Sequence, residues 1–276
     1  MTDDEKFLIK DLKLEDTNRI AYDNALDVIA VGFRPKKTHI FSDIDYIKTQ
    51  YKIALKVAKR TTLSTAKAIF GFNDSTNIGI TFFPAIQAVP CFLASELNGK
   101  NIPILIPASI DQDNYWRMAR DVAEKLGYYK PAQIHGIFLP GLQGMIEEGK
   151  MSSSVESTCI FTTDPPELVE EKIMKHAFSG GARNIEEHRK IGGNPDIDVS
   201  YQWLTFFEES DEKLKKIYDD YKSGALLTGE LKQILIDKLN IFLKDFQERR
   251  EKAKDKFCLL YTSDAADELD GVDLGG

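Results

Sequence analysis

Cysteine is scarce in this chain: Cys91, Cys159 and Cys258 are the three, and no two of them form a C-x-x-C pair. Their odd number and wide spacing exclude a disulfide framework and a thiolate zinc site, and fit a reducing compartment. The four histidines, His39, His135, His176 and His188, stand singly, and no two have metal-ligand spacing. Nowhere do about 18 apolar residues run together, so no membrane span is expected. The opening Met1-Thr2-Asp3-Asp4-Glu5-Lys6 is acidic, with no apolar stretch behind it, so no signal peptide is expected and a cytoplasmic location is. Basic charge is also in short supply. A net charge of -8 excludes a protein that coats nucleic acid through a general basic field. Neither DNA nor a membrane is an expected partner, whereas RNA held by a local patch stays open.

What is present is enough for a substantial core. With 276 residues, 42% hydrophobic and 29% charged, the chain can build two ordinary domains without metals or disulfides. Up to about Thr162, helical and extended patterns alternate. Ile20, Ala21, Asn24, Ala25, Val28 and Ile29 have helical spacing, with Gly32 as a stop. Thr38-His39-Ile40-Phe41 is a short β-rich run. Ile102 to Pro107 reads as a buried strand leading into Asp111-Gln112-Asp113, a helix carries Trp116 to Leu126, and Gln133 to Leu139 reads as a second strand. This alternation predicts an α/β domain with a mostly parallel sheet and ligands at the carboxyl ends of its strands.

From Asp164 onward the pattern is helical, with segments near 165–178, 184–191, 199–207, 211–221 and 227–254 separated by Gly-containing breaks. The expected domains are therefore 1–163 and 164–256, with 257–276 as a tail.

Gly144 to Ser154, GMIEEGKMSSS, is the segment richest in potential chemistry. Its glycines and serines allow a mobile loop whose hydroxyl and N–H groups can face phosphate oxygens, and Lys150 supplies a compact positive charge. The same residues fit an ordinary Ser-rich surface loop equally well.

Lys150-Met151-Ser152-Ser153-Ser154 resembles the K-M-S-K-S signature of class I aminoacyl-tRNA synthetases, with Ser153 where a second lysine often stands. Over roughly Met1 to Lys256 the chain looks like the archaeal and eukaryotic cytosolic tryptophanyl-tRNA synthetases. The marks include Thr2-Asp3-Asp4-Glu5-Lys6, Phe83-Pro84-Ala85-Ile86-Gln87-Ala88, Ile110-Asp111-Gln112-Asp113, His176-Ala177-Phe178-Ser179-Gly180-Gly181, Ile185-Glu186-Glu187-His188-Arg189 and Asp196-Ile197-Asp198-Val199-Ser200.

The resemblance implies a partial class I Rossmann-type nucleotide-binding domain with a helical insertion, followed by an all-helical anticodon-binding domain. It implies ATP-dependent activation of tryptophan and its transfer to tRNA(Trp). Lys150 would be catalytic, neutralising the β- and γ-phosphates of ATP while the amino acid carboxylate attacks the α-phosphate, with Met151, Ser152 and Ser153 lining the ATP site. Glu5 and Lys6 would line the amino acid site, and Gln87 and Gln112 would hold the substrate's amino and carboxylate groups. Asp111-Gln112 resembles a Gly-x-Asp-Gln element in which Ser109 replaces the glycine, placing Asp111 near the ribose or the amino acid. Mg2+ would travel with ATP rather than sit in a protein cage. A homodimer is implied, through the helices around Leu63 to Leu97. Each position also has a plainer reading: Glu5 and Lys6 as a charged surface pair, Asp111 as a helix cap, and Arg249, Arg250, Lys252, Lys254 and Lys256 as a solvated helix face.

Two departures stand out. The His-x-Gly-His element of class I synthetases is absent, and the isolated histidines leave no shifted copy. Met1 therefore looks like an internal methionine of an N-terminally truncated chain, expected to be inactive alone; the alternative is a non-catalytic, dimerising, tRNA-binding remnant. Past Lys256, the stretch Cys258 to Glu268 resembles translated sequencing adapter, so 257–276 is expected to be non-native and disordered.

Overall fold

A computed structural model describes residues 1–33, 37–144 and 159–257. The chain divides into two compact units: Met1–Ile137, joined by the described residues from Lys252 on, and Phe138–Glu251.

The first unit begins with α1 (Asp3–Ile9), whose three acidic residues in the first turn suit the positive end of the helix. In α2 (Leu14–Ala30) the apolar spacing forms the expected helix, and Gly32, at φ 117°, supplies the left-handed stop. The helices α3 (Ile47–Ala58), α4 (Leu63–Phe70), α5 (Ile78–Gln87) and α6 (Pro90–Asn98) follow. Local chemistry sets their starts. Thr62 Oγ1 accepts from the Thr65 N–H at 3.1 Å and Asn77 Oδ1 from the Ile80 N–H at 2.8 Å, while Pro90 begins α6, where its missing N–H is not needed. Ile53 and Val57 of α3, Phe83 and Ile86 of α5 and Phe92 of α6 bury their side chains with Trp116, Met118 and Val122 of α7 (Asp113–Ala123).

Strands β1 (Leu105–Ser109) and β2 (Ala132–Gly136) pair in parallel, from Leu105 opposite Ala132 to Ser109 opposite Gly136, with α7 as the crossover. The parallel sheet is as the alternating pattern predicts, but its strands are not buried on both faces. Ile106 and Ala108 pack toward the helical core, whereas Leu105 and Ile134 are each 54% exposed. Among the described residues the sheet has two strands, and nothing covers that second face. Thr38–Phe41 forms no strand. Ile40 makes an isolated bridge and packs against Ala25, Leu26, Ile29 and Ala253, a helical surface that outweighs its β propensity. Phe257, which opens the expected tail, meets the Tyr22 ring at 4.4 Å; Cys258 to Gly276 lie outside the described residues.

The second unit is helical, as expected: α8 (Pro166–His176), α9 (Ile185–Ile191), α10 (Val199–Phe207), α11 (Asp211–Ser223) and α12 (Thr228–Ala253). Trp203, Leu204, Tyr221, Leu231 and Leu235 form its fully buried centre. The Asp198 carboxylate, wholly buried, accepts from Gly180 N at 2.9 Å, Ser200 N at 2.9 Å and the Tyr221 hydroxyl at 2.7 Å. A Cβ at Gly181 or Gly193 would overlap Thr228 or Tyr221. The Ser-Gly-Gly and Gly-Gly-Asn segments thus let backbone approach this buried carboxylate closely.

Among the described residues no single helix is long and apolar enough to cross a membrane; the apolar α5 and α6 meet at a bend of 55°, and both contribute to the core.

Candidate functional site

The carboxyl end of β1 delivers two of the sequence-derived site residues. A single 3-10 turn, Ile110–Gln112, links the strand to α7 and holds Asp111 and Gln112 just beyond the sheet, where open α/β folds place ligands. Asp111 is exposed, and its Oδ1 accepts from the Ser109 hydroxyl at 2.6 Å. The residue standing where the resembled motif has glycine therefore orients the aspartate.

Gln87 is the last residue of α5, three positions after Pro84, which lies inside the helix. Its Nε2 donates to Gln112 Oε1 at 3.1 Å, joining two half-buried glutamines that are 25 residues apart. That bond uses one N–H and one oxygen. Among the described residues, Gln87 Oε1 and the Gln112 N–H groups make no other hydrogen bond, so the pair offers both an acceptor and donors to a polar ligand.

Glu5 comes to the same region from α1. Burial pushes its carboxyl above the usual range, repulsion from Asp4 and Asp111 adds to this, and the nearby Tyr115 and Thr2 hydroxyls oppose it. Tyr115 is the residue that sequence reasoning missed. It lies one helical turn beyond Asp111, its ring is 4.8 Å from Phe70 and 5.9 Å from Phe83, and burial followed by the charge of Glu5 pushes its phenol up to about 12. Spacing contained the signal: 111, 112 and 115 share one helical face. Lys6 is half-buried beside Glu5, but among the described residues no contact joins its side chain to the cluster.

Behind Gln112, the buried Asp113 carboxylate holds Arg117 and also faces His135 Nε2 of β2 at 3.2 Å. His135 is thus tied to the helix start by an ionisable contact. Lys150, Met151, Ser152 and Ser153 lie outside the described residues. Among the described residues, no group of three or more His, Cys, Asp or Glu side chains is placed to hold a metal ion. In the basic segment of α12, Arg249 pairs with Asp245 at 3.0 Å.

Glu5, Asp111 and Tyr115 lie within electrostatic reach of one another, and with the Gln87–Gln112 pair beside Asp111 they make up the candidate site. A carboxylate, a pair of amides and a frame of aromatic rings suit a small zwitterion with an apolar side chain.

A family model described as tRNA synthetases class I (W and Y) matches residues 2–244. Tryptophan–tRNA ligase of Sulfolobus acidocaldarius is 57% identical over 257 residues, covering 92% of this chain and 65% of that protein. The cytoplasmic tryptophan–tRNA ligase of Saccharomyces cerevisiae is 50% identical over 269 residues, covering 94% of this chain and 62% of that protein. The crystal structure of a tryptophanyl-tRNA synthetase from Encephalitozoon cuniculi bound to tryptophan superposes with a TM-score of 0.84 at 35% identity, covering 95% of this chain and 71% of that one. The chain thus spans somewhat less than two thirds of the length of these two ligases.

Proposed function

The chain belongs to the family of tRNA synthetases class I (W and Y), and we propose that it is the greater part of a tryptophan–tRNA ligase, which activates tryptophan with ATP and transfers it to tRNA(Trp). The observation that carries this reading is the hydrogen-bonded Gln87–Gln112 pair, set beside Glu5 at the carboxyl end of β1.

In this reading Glu5 receives the substrate's ammonium group, and the amides of Gln87 and Gln112 orient its amino and carboxylate groups. Phe70, Phe83 and Tyr115 form the apolar frame. The substrate carboxylate, already an anion, attacks the α-phosphate of ATP; the bond to the leaving pyrophosphate breaks, and tryptophanyl-adenylate forms. A hydroxyl of the terminal tRNA ribose then displaces AMP. No covalent enzyme intermediate is needed, so positioning and charge stabilisation carry the rate. Lys150 supplies positive charge to the β- and γ-phosphates, Met151, Ser152 and Ser153 line the same loop, and Asp111 faces the ribose or the amino acid. Mg2+ arrives with ATP. Tryptophan is separated from tyrosine by lost indole contacts and by a site acceptor left without its N–H donor.

The domain reading accompanies this one: 1–163 as catalytic domain, 164–256 as the tRNA-reading helical domain. A homodimer through the Leu63–Leu97 region and a cytoplasmic location complete it. The 276 residues contain no His-x-Gly-His element, which favours a second statement: these residues alone do not activate tryptophan.

Pyrophosphate exchange tests both. The chain alone is expected to give negligible tryptophan-dependent exchange, and a fusion to the remaining N-terminal part of the Sulfolobus acidocaldarius relative is expected to give robust exchange. Exchange by the chain alone overturns the second statement; a folded fusion that responds to tyrosine rather than tryptophan overturns the first.

A further inference from the structure

Helix α7 begins without a local side-chain cap. Gln112 stands at its N-cap position, but its side chain accepts no bond from the first turn and instead meets Gln87 at 3.1 Å. Glutamine is not among the residues favoured as caps, so the amide that serves the site leaves the helix start unsecured. The next residue supplies the anchorage. Asp113, buried in the first turn of α7, turns one carboxylate oxygen to His135 Nε2 at 3.2 Å and the other to Arg117.

The two contacts are unequal. Arg117 lies one turn along the same helix with its side chain 73% exposed, so that pair is screened by water and adds little. His135 comes from a separate element. It stands opposite Ala108 in β2, and Ala108 packs toward the helical core, so alternation along the strand puts the half-buried imidazole on the face that α7 covers. Toward the other end of α7 the Arg120 guanidinium donates to Pro131 O, just ahead of β2. The helix is therefore pinned to β2 at two points, and the pin beside Gln112 is the Asp113–His135 contact.

We propose that Asp113 and His135 are positioning residues of the candidate site, fixing the start of α7 so that the Gln112 amide is held toward Gln87 and the ligand. This rests on the reading of the site given above and goes beyond it by assigning a role to two residues outside the expected set.

The chemistry suits that role. Both carboxylate oxygens of Asp113 are engaged by protein groups, so its part is to hold rather than to bind substrate. An imidazole can donate from Nε2 whether the ring is neutral or protonated, so the contact survives a change of charge. A carboxylate in the first turn also suits the positive end of the helix. On the near side of Gln112, the Ser109 hydroxyl holds Asp111 at 2.6 Å, and the Asp113 N–H donates to Ile110 O, closing the 3-10 turn. The Gln112 backbone is thus held from both sides.

The test is L-tryptophan binding to the 276-residue chain, read by equilibrium dialysis together with the side-chain 15N signals of Gln112. His135→Ala should weaken binding roughly fivefold, the scale of one lost hydrogen bond, and shift the Gln112 amide signals before any ligand is added. His135→Gln places an amide donor where Nε2 stood and should restore most of the affinity. Asp113→Ala, which removes the contact from the other side, should match His135→Ala. In the Gln112→Ala background, His135→Ala should cost no further affinity. Arg120→Ala breaks the remote pin and should lower the melting temperature while leaving affinity unaltered. Equal losses from His135→Ala with and without Gln112, or from His135→Ala and Arg120→Ala, would mean a general loosening of the fold and overturn the proposal. Unaltered binding by a folded His135→Ala or Asp113→Ala protein would overturn it too. If instead Gln112→Ala itself leaves the affinity unaltered, the amino acid site reading falls and takes the assigned role with it, even where the Gln112 signals of the unmodified background still follow His135.

Discussion

Gln87 and Gln112 meet through a 3.1 Å hydrogen bond although α5 ends at the first and α7 begins just after the second. Two helix termini are thereby locked together around a pair of amides that still has donors and an acceptor to offer. A mutation of either residue should therefore act on ligand binding more than on folding. Gln112→Ala is expected to weaken L-tryptophan binding by about tenfold in equilibrium dialysis, with only a small change in melting temperature. Unaltered affinity would remove the pair from the site.

In the N-terminally extended fusion, Lys150→Ala should slow adenylate formation by at least ~100-fold while leaving tryptophan affinity nearly unchanged, because the proposed role of its charge is on the leaving pyrophosphate rather than on the amino acid. Pre-steady-state measurement separates the two effects. A normal rate would exclude Lys150 from the chemistry.

The anchorage of α1 should depend on pH. Burial pushes the Asp43 carboxyl up to about 7; repulsion from Asp4 and Asp3 adds to this, while the Met1 ammonium and the Gln50 amide oppose it. The folded chain thus holds this proton more tightly than the unfolded chain does. The resulting stability is complete below the ordinary value of 3.8 and is lost as pH rises through about 7. Asp43→Asn should flatten the fall in melting temperature between about pH 4 and 7, whereas parallel profiles for the two proteins would contradict it.

In the second unit, Asp198→Ala strands Gly180 N, Ser200 N and the Tyr221 hydroxyl in a fully buried site. A loss of about 3 kcal/mol is expected by urea denaturation. A loss within error would mean that water replaces the carboxylate without cost.

Much of this organisation was readable from residues alone, for identifiable reasons. The helices α9 to α11 carry apolar residues three and four apart with Asn, Asp or Ser at their starts, and such signals are local. Gln87 and Gln112 were named from motif resemblance, but their mutual hydrogen bond was not, because nothing local connects positions so far apart. Tyr115 escaped notice because an aromatic residue on a half-buried helix face reads as core, and only the approach of α1 sets the Glu5 charge near it. Ile40 shows the opposite failure: its β-rich neighbourhood is real, yet the side chain is taken up by helical packing. Lys150 remains a reading of letters, outside the described residues.

The central claim, that Glu5, Gln87 and Gln112 enclose a tryptophan site, is tested most directly by following the side-chain amide 15N signals of Gln87 and Gln112 as L-tryptophan is added to the chain. The account predicts saturable shifts of both signals with L-tryptophan and much smaller ones with L-tyrosine at equal concentration. Signals that stay fixed, or that move equally for the two amino acids, would contradict it.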